Sequence, residues 1–210
     1  MSRRGIDVSK WQGYIDWGKV KAAGYEFAII KAGGSDAGLY TDPFFEYNYE
    51  NAKKAGLGLG AYYFVGPKCL SERDGIADAE RFLRQLKGKQ FDYPVYLDWE
   101  APPAGVKERS TDAAIAFCKT VEEKGYYIGI YSSDISGFKE RLNLQRLAPY
   151  DIWVACYGSA PNYIKAFRTT YGMWQYSSTG SVPGISGNVD LDIAYYDFPA
   201  VIKSHHLNGY

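Results

Sequence analysis

Two acidic residues separated by a single tryptophan, Asp98 and Glu100, follow the apolar run 94–97 in "PVYLDWE", near the middle of the chain. Side chains two positions apart on a β-strand point to the same side, roughly 6.6 Å apart at about 3.3 Å per residue. Two carboxyl groups that close raise the pKa of at least one of them, so that it can stay protonated near neutral pH and act as a general acid. The alternative is a strand-end pair that forms salt bridges with neighbouring Lys or Arg side chains.

Three further acids occupy comparable positions. Asp7 ends the first apolar run in "GIDVS", and Asp190 and Asp192 lie in "GNVDLDIAY". If the sheet closes into a barrel, its first and last strands are neighbours, and Asp7 then faces an aspartate of the last strand. Taken alone, Asp7 could instead begin an Asx-turn in the loop that follows it. Taken together, acids on strands one, four and eight predict an acidic rim whose carboxyl groups raise one another's pKa.

Aromatic residues make up 17% of the chain, with 20 Tyr and 5 Trp. Tyr62, Tyr131 and Trp153 lie at the ends of apolar runs, and so does one cation, Lys31. Each of them could simply belong to a hydrophobic core. A cleft that combines carboxyl groups with a rim of Tyr and Trp is typical of a site where a carbohydrate is cleaved by acid catalysis.

These side chains need a framework, and the hydrophobic pattern predicts one. Candidate strands cover residues 5–9, 27–32, 58–64, 94–99, 127–132, 152–157, 173–176 and 189–193. Amphipathic helices are predicted at 17–23, 43–55, 71–86 and 111–124, and three of them end in glycine, the usual residue after a helix. This alternation predicts an α/β fold, a closed barrel of eight strands whose last three strands lack long helices. Such barrels carry their chemistry at the C-terminal ends of the strands.

The composition argues against several classes of partner. The 210 residues carry 24 basic and 24 acidic side chains without a basic patch, which does not favour nucleic acid. The chain contains no apolar run of about 18 residues, so the sequence predicts no membrane-spanning helix. The start, "MSRRGIDVSKWQG", lacks the apolar segment of a Sec signal peptide.

Metal and cofactor sites are not predicted either. The cysteines Cys69, Cys118 and Cys156 are far apart and are expected to be buried free thiols. The stretch 56–61, "GLGLGA", precedes a strand rather than following one, so it lacks the geometry of a phosphate-binding loop. We therefore expect neither a metal nor an organic cofactor.

An ordered set of stretches resembles one known family: "GIDVSKWQG", "FAIIKAGG", "GLGAYYF", "PVYLDWE", "IGIYSS", "IWVACYG" and "MWQYSSTGSVPGISGNVDLD". They are similar to the catalytic domain of glycoside hydrolase family 25, the lysozymes (N-acetylmuramidases) of phage endolysins, bacteria and fungi. The resemblance covers residues 5–198. It implies an irregular (β/α) barrel with eight strands and about five helices, and a single catalytic domain over residues 1–210. The chain departs from the family at Tyr62-Tyr63, where the third strand usually ends in Tyr-His, which calls a substrate contact by Tyr63 into question.

The resemblance also implies roles for individual residues. Glu100 would be the general acid, Asp98 would assist beside it, and Asp7 and Asp190 would complete an acidic quartet. Asp190 is preferred to Asp192 because the family pattern reads Val-Asp followed by a variable pair. Substrate contacts are expected from the rim residues Lys31, Tyr62, Tyr131, Trp153 and Gln175.

The sequence thus predicts a monomeric peptidoglycan hydrolase that cleaves the β-1,4 bond between N-acetylmuramic acid and N-acetylglucosamine. Retention, with help from the substrate's 2-acetamido group, and inversion by direct attack of water both stay open, because the separation of the carboxyl groups decides between them. A chitinase-like hydrolase and a non-catalytic glycan-binding barrel are the alternatives. The enzyme is expected to act on the cell wall outside the cell. Without a signal peptide it would depend on a phage holin or another export route.

Overall fold

The computed structural model describes residues 2–167 and 170–210, which form nine strands and six α-helices. The strands are β1 (Arg3–Val8), β2 (Phe27–Gly34), β3 (Tyr40–Thr41), β4 (Gly58–Phe64), β5 (Val95–Asp98), β6 (Ile128–Ser133), β7 (Asp151–Ala155), β8 (Met173–Gly180) and β9 (Val189–Ala194). The helices are α1 (Trp17–Ala22), α2 (Phe45–Lys54), α3 (Glu72–Leu86), α4 (Lys107–Glu122), α5 (Asn162–Phe167) and α6 (Phe198–Ser204). A 3₁₀ turn at Lys10–Gln12 and a π-helical turn at Asp134–Lys139 lie in two of the loops.

Eight of the strands close into a barrel. The order is β1-β9-β8-β7-β6-β5-β4-β2, and β1 pairs with β2 to close the ring. The remaining strand, β3, has two residues and forms a hairpin with β2 outside the ring. The predicted irregular (β/α) barrel of eight strands is therefore confirmed.

One strand runs against the parallel pattern. β9 is antiparallel to both of its neighbours, β8 and β1. A parallel connection needs a crossover of about a dozen residues or more, whereas residues 181–188 between β8 and β9 contain no helix. As a result the N-terminal end of β9, not its C-terminal end, lies at the rim where the parallel strands finish.

The helices cover the outside of the barrel. The four predicted helices correspond to α1–α4, and the short helices α5 and α6 are additional. α3 begins where Ser71 Oγ accepts a hydrogen bond from the amide of Asp74, a typical N-cap. Within the described residues, the connections to the last three strands hold only the π-helical turn and the six residues of α5, so those strands lack a long helix, as predicted.

Two hydrophobic clusters stabilise the fold. The larger lies between the barrel and the helices and includes Phe82, Phe117 and Trp99. The smaller fills the barrel interior with large side chains such as Phe27 and Tyr96. α6 completes this second cluster and so closes the end of the barrel opposite the rim; its buried residues are Phe198 and Ile202.

The chain after α6 is held against the same end of the barrel by Asn208, which is fully buried. Asn208 Oδ1 accepts a hydrogen bond from the amide of Tyr127 at 2.8 Å, and its Nδ2 donates to the carbonyl of Tyr93 at 2.9 Å. Tyr127 directly precedes β6, and Tyr93 lies two residues before the start of β5. The C-terminal segment therefore fixes the entry of two strands that lead to the rim.

The three cysteines of the chain were expected to be buried free thiols. Cys69, Cys118 and Cys156 are free thiols; the first two are buried, whereas Cys156 is half-buried because it lies just beyond the last residue of β7. The expectation of three buried thiols is thus wrong for Cys156.

Among residues 2–167 and 170–210, no helix has the length and apolarity needed to cross a membrane.

Candidate active site

A cleft of about 250 Å³ opens at the rim of the barrel, and all nine sequence-predicted site residues line it. The acids come from three strands and the segment after β5, and the remaining residues come from the intervening strands. The nine are Asp7, Asp98, Glu100, Asp190, Lys31, Tyr62, Tyr131, Trp153 and Gln175. The structure thus brings together side chains that lie up to 183 positions apart in the sequence. Their individual roles remain predictions.

Barrel closure brings two of the acids together. Asp7 near the end of β1 is in register with Asp190 near the start of β9, as the argument from neighbouring first and last strands predicts. The Asx-turn alternative for Asp7 is not what the structure shows, because the loop after β1 is capped by Ser9. The Asp7 carboxylate instead accepts a hydrogen bond from Gln175 Nε2 at 2.7 Å.

Asp98 is the last residue of β5, and only 3% of its surface is exposed. Within the described part of the chain its Oδ1 has no hydrogen-bond partner. Burial, and then the charge of Glu100, raise the pKa of Asp98 well above its ordinary value, while Lys31 acts in the opposite direction. Lys31 itself is held over the ring of Phe64, with Nζ 4.6 Å from the ring centroid. Asp98 is therefore a buried carboxyl group with one nearby cation.

Glu100 lies two residues beyond Asp98, and its side chain is exposed at the mouth of the cleft. Enough protein surrounds its carboxyl group for the loss of hydration to raise the pKa, and the charge of Asp190 raises it further. Lys31 and Arg141 lower the same pKa in part. A carboxyl group of this kind can remain protonated at a higher pH than a free glutamate and still reach a ligand.

Asp7 interacts electrostatically with both acids of β9, Asp190 in the cleft and Asp192 beneath it. Burial and the charges of those two neighbours raise the pKa of Asp7 well above its ordinary value, and burial raises that of Asp190 to about 6. Because like charges this close repel, the ionisation of one of these carboxyl groups opposes the ionisation of the others. The cleft-lining member of β9 is Asp190, the residue that the family pattern favours.

Asp192 is the one acid of this cluster that the sequence reasoning set aside. It is fully buried, and its Oδ1 accepts a hydrogen bond from Trp153 Nε1 at 2.8 Å. The signal that could have identified it is its position two residues after Asp190 on one strand, which points both side chains into the barrel. Asp192 fixes Trp153, and its charge acts on Asp7 from beneath the cleft.

Aromatic side chains form one wall of the cleft. The ring of Trp153 lies 4.4 Å from that of Tyr131 and 6.1 Å from that of Tyr62, measured between centroids. The hydroxyl of Tyr131 donates to Gln175 Oε1 at 2.9 Å, and that of Tyr157 donates to the same oxygen at 2.7 Å. This wall is therefore connected through Gln175 to Asp7.

Six residues that line the cleft were not singled out from the sequence, among them the aromatic residues Tyr157 and Trp11. Tyr157 follows β7 and could have been found as another aromatic residue at a strand end. Trp11, in the 3₁₀ turn after β1, is 79% exposed and lines the mouth of the cleft. Nothing in the periodicity marks Trp11, because it lies in a loop.

Tyr63, where the chain departs from the family pattern, does not line the cleft. It points outward into the cluster between barrel and helices, and its hydroxyl donates to Asp78 Oδ1 at 3.2 Å. Its neighbour Tyr62 faces the cleft instead. The departure therefore leaves the cleft unchanged.

Comparison with known proteins identifies the family. Residues 6–185 match the profile described as glycosyl hydrolases family 25. The chain belongs to glycosyl hydrolase family 25. The family and the enzyme class predicted from the sequence, a glycoside hydrolase, are thereby confirmed.

Individual relatives agree with this assignment. The family 25 chain is 32% identical to the autolytic lysozyme of Clostridium acetobutylicum over 190 residues, which cover 90% of the chain and 55% of that lysozyme. The crystal structure of the CTP1L endolysin superposes with a TM-score of 0.83 at 32% identity, covering 96% of this chain and 70% of that one. The modular autolysin LytC of Streptococcus pneumoniae, solved with a synthetic peptidoglycan ligand, gives a TM-score of 0.77 at 25% identity, covering 92% of this chain and 47% of that one. The chain thus spans about half the length of the autolytic lysozyme.

Proposed function

We propose that this family 25 domain is a muramidase, which hydrolyses the β-1,4 bond between N-acetylmuramic acid and N-acetylglucosamine in peptidoglycan. The observation that carries the proposal is the pairing of Glu100, at the mouth of an aromatic cleft, with Asp98 buried beside it; the pKa of both is raised. Glycoside hydrolases usually act with two carboxyl groups that flank the bond to be cleaved. The lysozyme, endolysin and autolysin names of its relatives support the same substrate.

Glu100 acts as the general acid in this proposal. It gives its proton to the glycosidic oxygen as the bond to the sugar breaks, and its raised pKa keeps that proton available. The negative charge of Asp190 contributes to that raised pKa. Lys31 and Arg141 limit the rise, so the group also remains able to ionise once the proton has been transferred.

Asp98 assists at the carbon from which the leaving group departs. In the substrate-assisted route, the carbonyl oxygen of the 2-acetamido group attacks that carbon, and Asp98 accepts a hydrogen bond from the acetamido N–H. Water then opens the resulting ring, with Glu100 taking its proton. In the direct route, water attacks the opposite face, a second carboxyl group of the cleft in its ionised form takes the proton of that water, and the configuration inverts. The anomeric form of the first product, read by proton NMR within minutes of mixing, separates the two routes.

Two other functions use similar residues. A chitinase-like hydrolase also carries an Asp-x-Glu pair, but its substrate has no lactyl-peptide branch. A non-catalytic glycan-binding barrel would need the aromatic wall alone, whereas this cleft also holds four acids. We favour the muramidase, acting as a monomer on the cell wall outside the cytoplasm, with residues 1–210 as a single catalytic domain.

Digestion of purified cell walls and, separately, of chitin oligomers tests the proposal. After borohydride reduction, a muramidase leaves N-acetylmuramitol at the new ends, which mass spectrometry identifies. Cleavage of chitin oligomers alone would favour the chitinase-like function. Binding to both substrates without new reducing ends would favour the glycan-binding barrel.

A further inference from the structure

A second depression, with a volume of about 630 Å³, lies beside the cleft and is larger than the cleft itself. We call it the α3 groove. One side is the loop after β2, the other is the loop after β4, and the floor is the N-terminal half of α3. Its lining includes Ser35, Asp36, Gly66, Lys68, Arg73 and Asp78.

The α3 groove begins where the cleft wall ends. Phe64 lines the cleft, and its carbonyl accepts a hydrogen bond from the amide of Ser35 at 2.9 Å. Ser35 Oγ in turn accepts a hydrogen bond from the amide of Gly66 at 2.8 Å. Ser35 and Gly66 both line the groove, so the groove adjoins the cleft wall at Phe64.

The acids in the floor of the groove hold neighbouring segments together through hydrogen bonds and a salt bridge. Asp78 accepts hydrogen bonds from Ser35 Oγ and Tyr63 Oη and forms a salt bridge with Arg81 at 2.9 Å. Asp74 accepts hydrogen bonds from Ser71 Oγ and the amide of Leu70. The charge of Asp78 is therefore balanced by Arg81, whereas Asp74 is held by neutral donors and by the nearby charge of Arg73, and these contacts hold the walls of the groove in place.

Two cations at the edge of the groove, in contrast, are exposed to solvent. Lys68 and Arg73 are exposed, and across the described ranges 2–167 and 170–210 neither takes part in a salt bridge. On the opposite side, one carboxylate oxygen of Asp36 accepts a hydrogen bond from the hydroxyl of Tyr40. The groove thus presents two exposed cations without a salt bridge, although the charge of Arg73 also acts on Asp74, and the exposed carboxylate of Asp36 lies on the opposite side.

We propose that the α3 groove binds the stem peptide that is attached to the lactyl group of muramic acid. Lys68 and Arg73 bind the carboxylates of that peptide, and Asp36 binds its amino or amide N–H groups. The inference rests on the proposed muramidase function. A muramic acid in the cleft carries a branch that must leave on one side, and a polar groove with charges of both signs suits a zwitterionic peptide better than it suits an uncharged sugar.

The test compares two soluble glycan preparations from the same cell walls, both freed of phosphodiester polymers by acid. One keeps its stem peptides, and the other has lost them to an N-acetylmuramoyl-L-alanine amidase. The value of kcat/KM is measured on both for the wild type and for the Lys68→Ala/Arg73→Ala double variant. We expect the double variant to lose roughly three- to tenfold on the stem-bearing chains, the scale of two exposed charged contacts, and to be unchanged on the bare chains. The Lys68→Glu/Arg73→Glu variant should lose more, because it repels the stem carboxylates.

The Arg84→Ala/Lys87→Ala double variant is the matched control. Both side chains are exposed cations in or just after α3, and both lie outside the groove. Equal losses on stem-bearing and bare chains, or an equal loss in this control, would overturn the proposal. The second result would point to unspecific attraction of an anionic polymer. Failure of the wild type to release muramic acid ends from either preparation would instead refute the muramidase function.

Discussion

Glu100 and Asp98 show how position within one cleft gives two carboxyl groups different properties. Asp98 ends a buried strand, so desolvation dominates its pKa. Glu100 lies two residues further on, where its side chain is exposed and its pKa also responds to Asp190, Lys31 and Arg141. Of these two carboxyl groups, only that of Glu100 belongs to an exposed residue. This difference supports assigning proton donation to Glu100 and an assisting role to Asp98.

The first prediction concerns Glu100. Glu100→Gln should lower kcat on soluble glycan chains by at least about 100-fold, because an amide of nearly the same shape has no acidic proton to donate and general acid catalysis typically contributes about 10²–10⁴. The measurement is the rate of appearance of new reducing ends. The melting temperature should stay close to that of the wild type, which serves as the control for folding. A loss below about tenfold would contradict the general acid role.

The second prediction concerns Asp190 and pH. Its charge raises the pKa of Glu100, so Asp190→Asn should lower that pKa and move the basic limb of the pH–rate profile toward lower pH. Asp197→Asn is a suitable control, since it removes the same charge from a residue that pairs with Arg3 outside the cleft. The full profile of kcat/KM should be recorded for both variants. Equal profiles for Asp190→Asn and the wild type would show that Asp190 does not set the protonation of Glu100.

At the scale of elements, the sequence predicts the strands and the meeting of Asp7 with an acid of the last strand, because both follow from hydrophobic pattern and ring closure. It does not predict the direction of β9. The alternation of apolar residues in β9 is the same in either direction, and only the absence of a helix between β8 and β9 hints at the reversal. The tail "KSHHLNGY" has no apolar pattern, so the burial of Asn208 rests on backbone hydrogen bonds that periodicity does not record. Trp11 was missed for a similar reason, since it lies in a turn.

The third prediction concerns this C-terminal segment. Asn208→Ala should lower the free energy of unfolding by about 2–4 kcal/mol, because it leaves the buried amide of Tyr127 and the carbonyl of Tyr93 unpaired. Urea denaturation followed by tryptophan fluorescence would measure the loss. Asn208 also has a positive φ of 56°, which glycine accepts without strain. Asn208→Gly should therefore still lose most of this stability if the side-chain hydrogen bonds matter, and recovery to the wild-type value would show that backbone strain alone explains the alanine result.

At the scale of the whole molecule, the buried acids of the cleft lower the stability of the fold at neutral pH. Burial raises the pKa of Asp7, Asp98 and Asp192 well above their ordinary values, so the folded chain holds these protons more tightly than the unfolded chain does. For such groups the stabilising effect is complete below the unfolded pKa, about 3.9 for Asp. It is lost as the pH rises through the folded pKa. The acidic cleft should therefore make the protein less stable at neutral pH than in mild acid.

The last prediction follows from that sign. Asp98→Asn removes a buried titrating group without a hydrogen-bond partner on Oδ1, so it should raise the free energy of unfolding at about pH 7 by around 1 kcal/mol, the usual size of a stabilising substitution, while lowering kcat. The gain should shrink toward about pH 4, close to the unfolded pKa of about 3.9, where roughly half of the aspartate side chains are protonated in the unfolded chain as well. Asp78→Asn is the contrasting control: this acid is also buried, but it is paired with Arg81 and two hydroxyl groups, so its loss should destabilise the fold. Urea denaturation of both variants at the two pH values gives the comparison. If Asp98→Asn were no more stable than the wild type at neutral pH, burial of this carboxyl group would not be what limits stability, and Asp98 would have to be held by contacts that the amide cannot make.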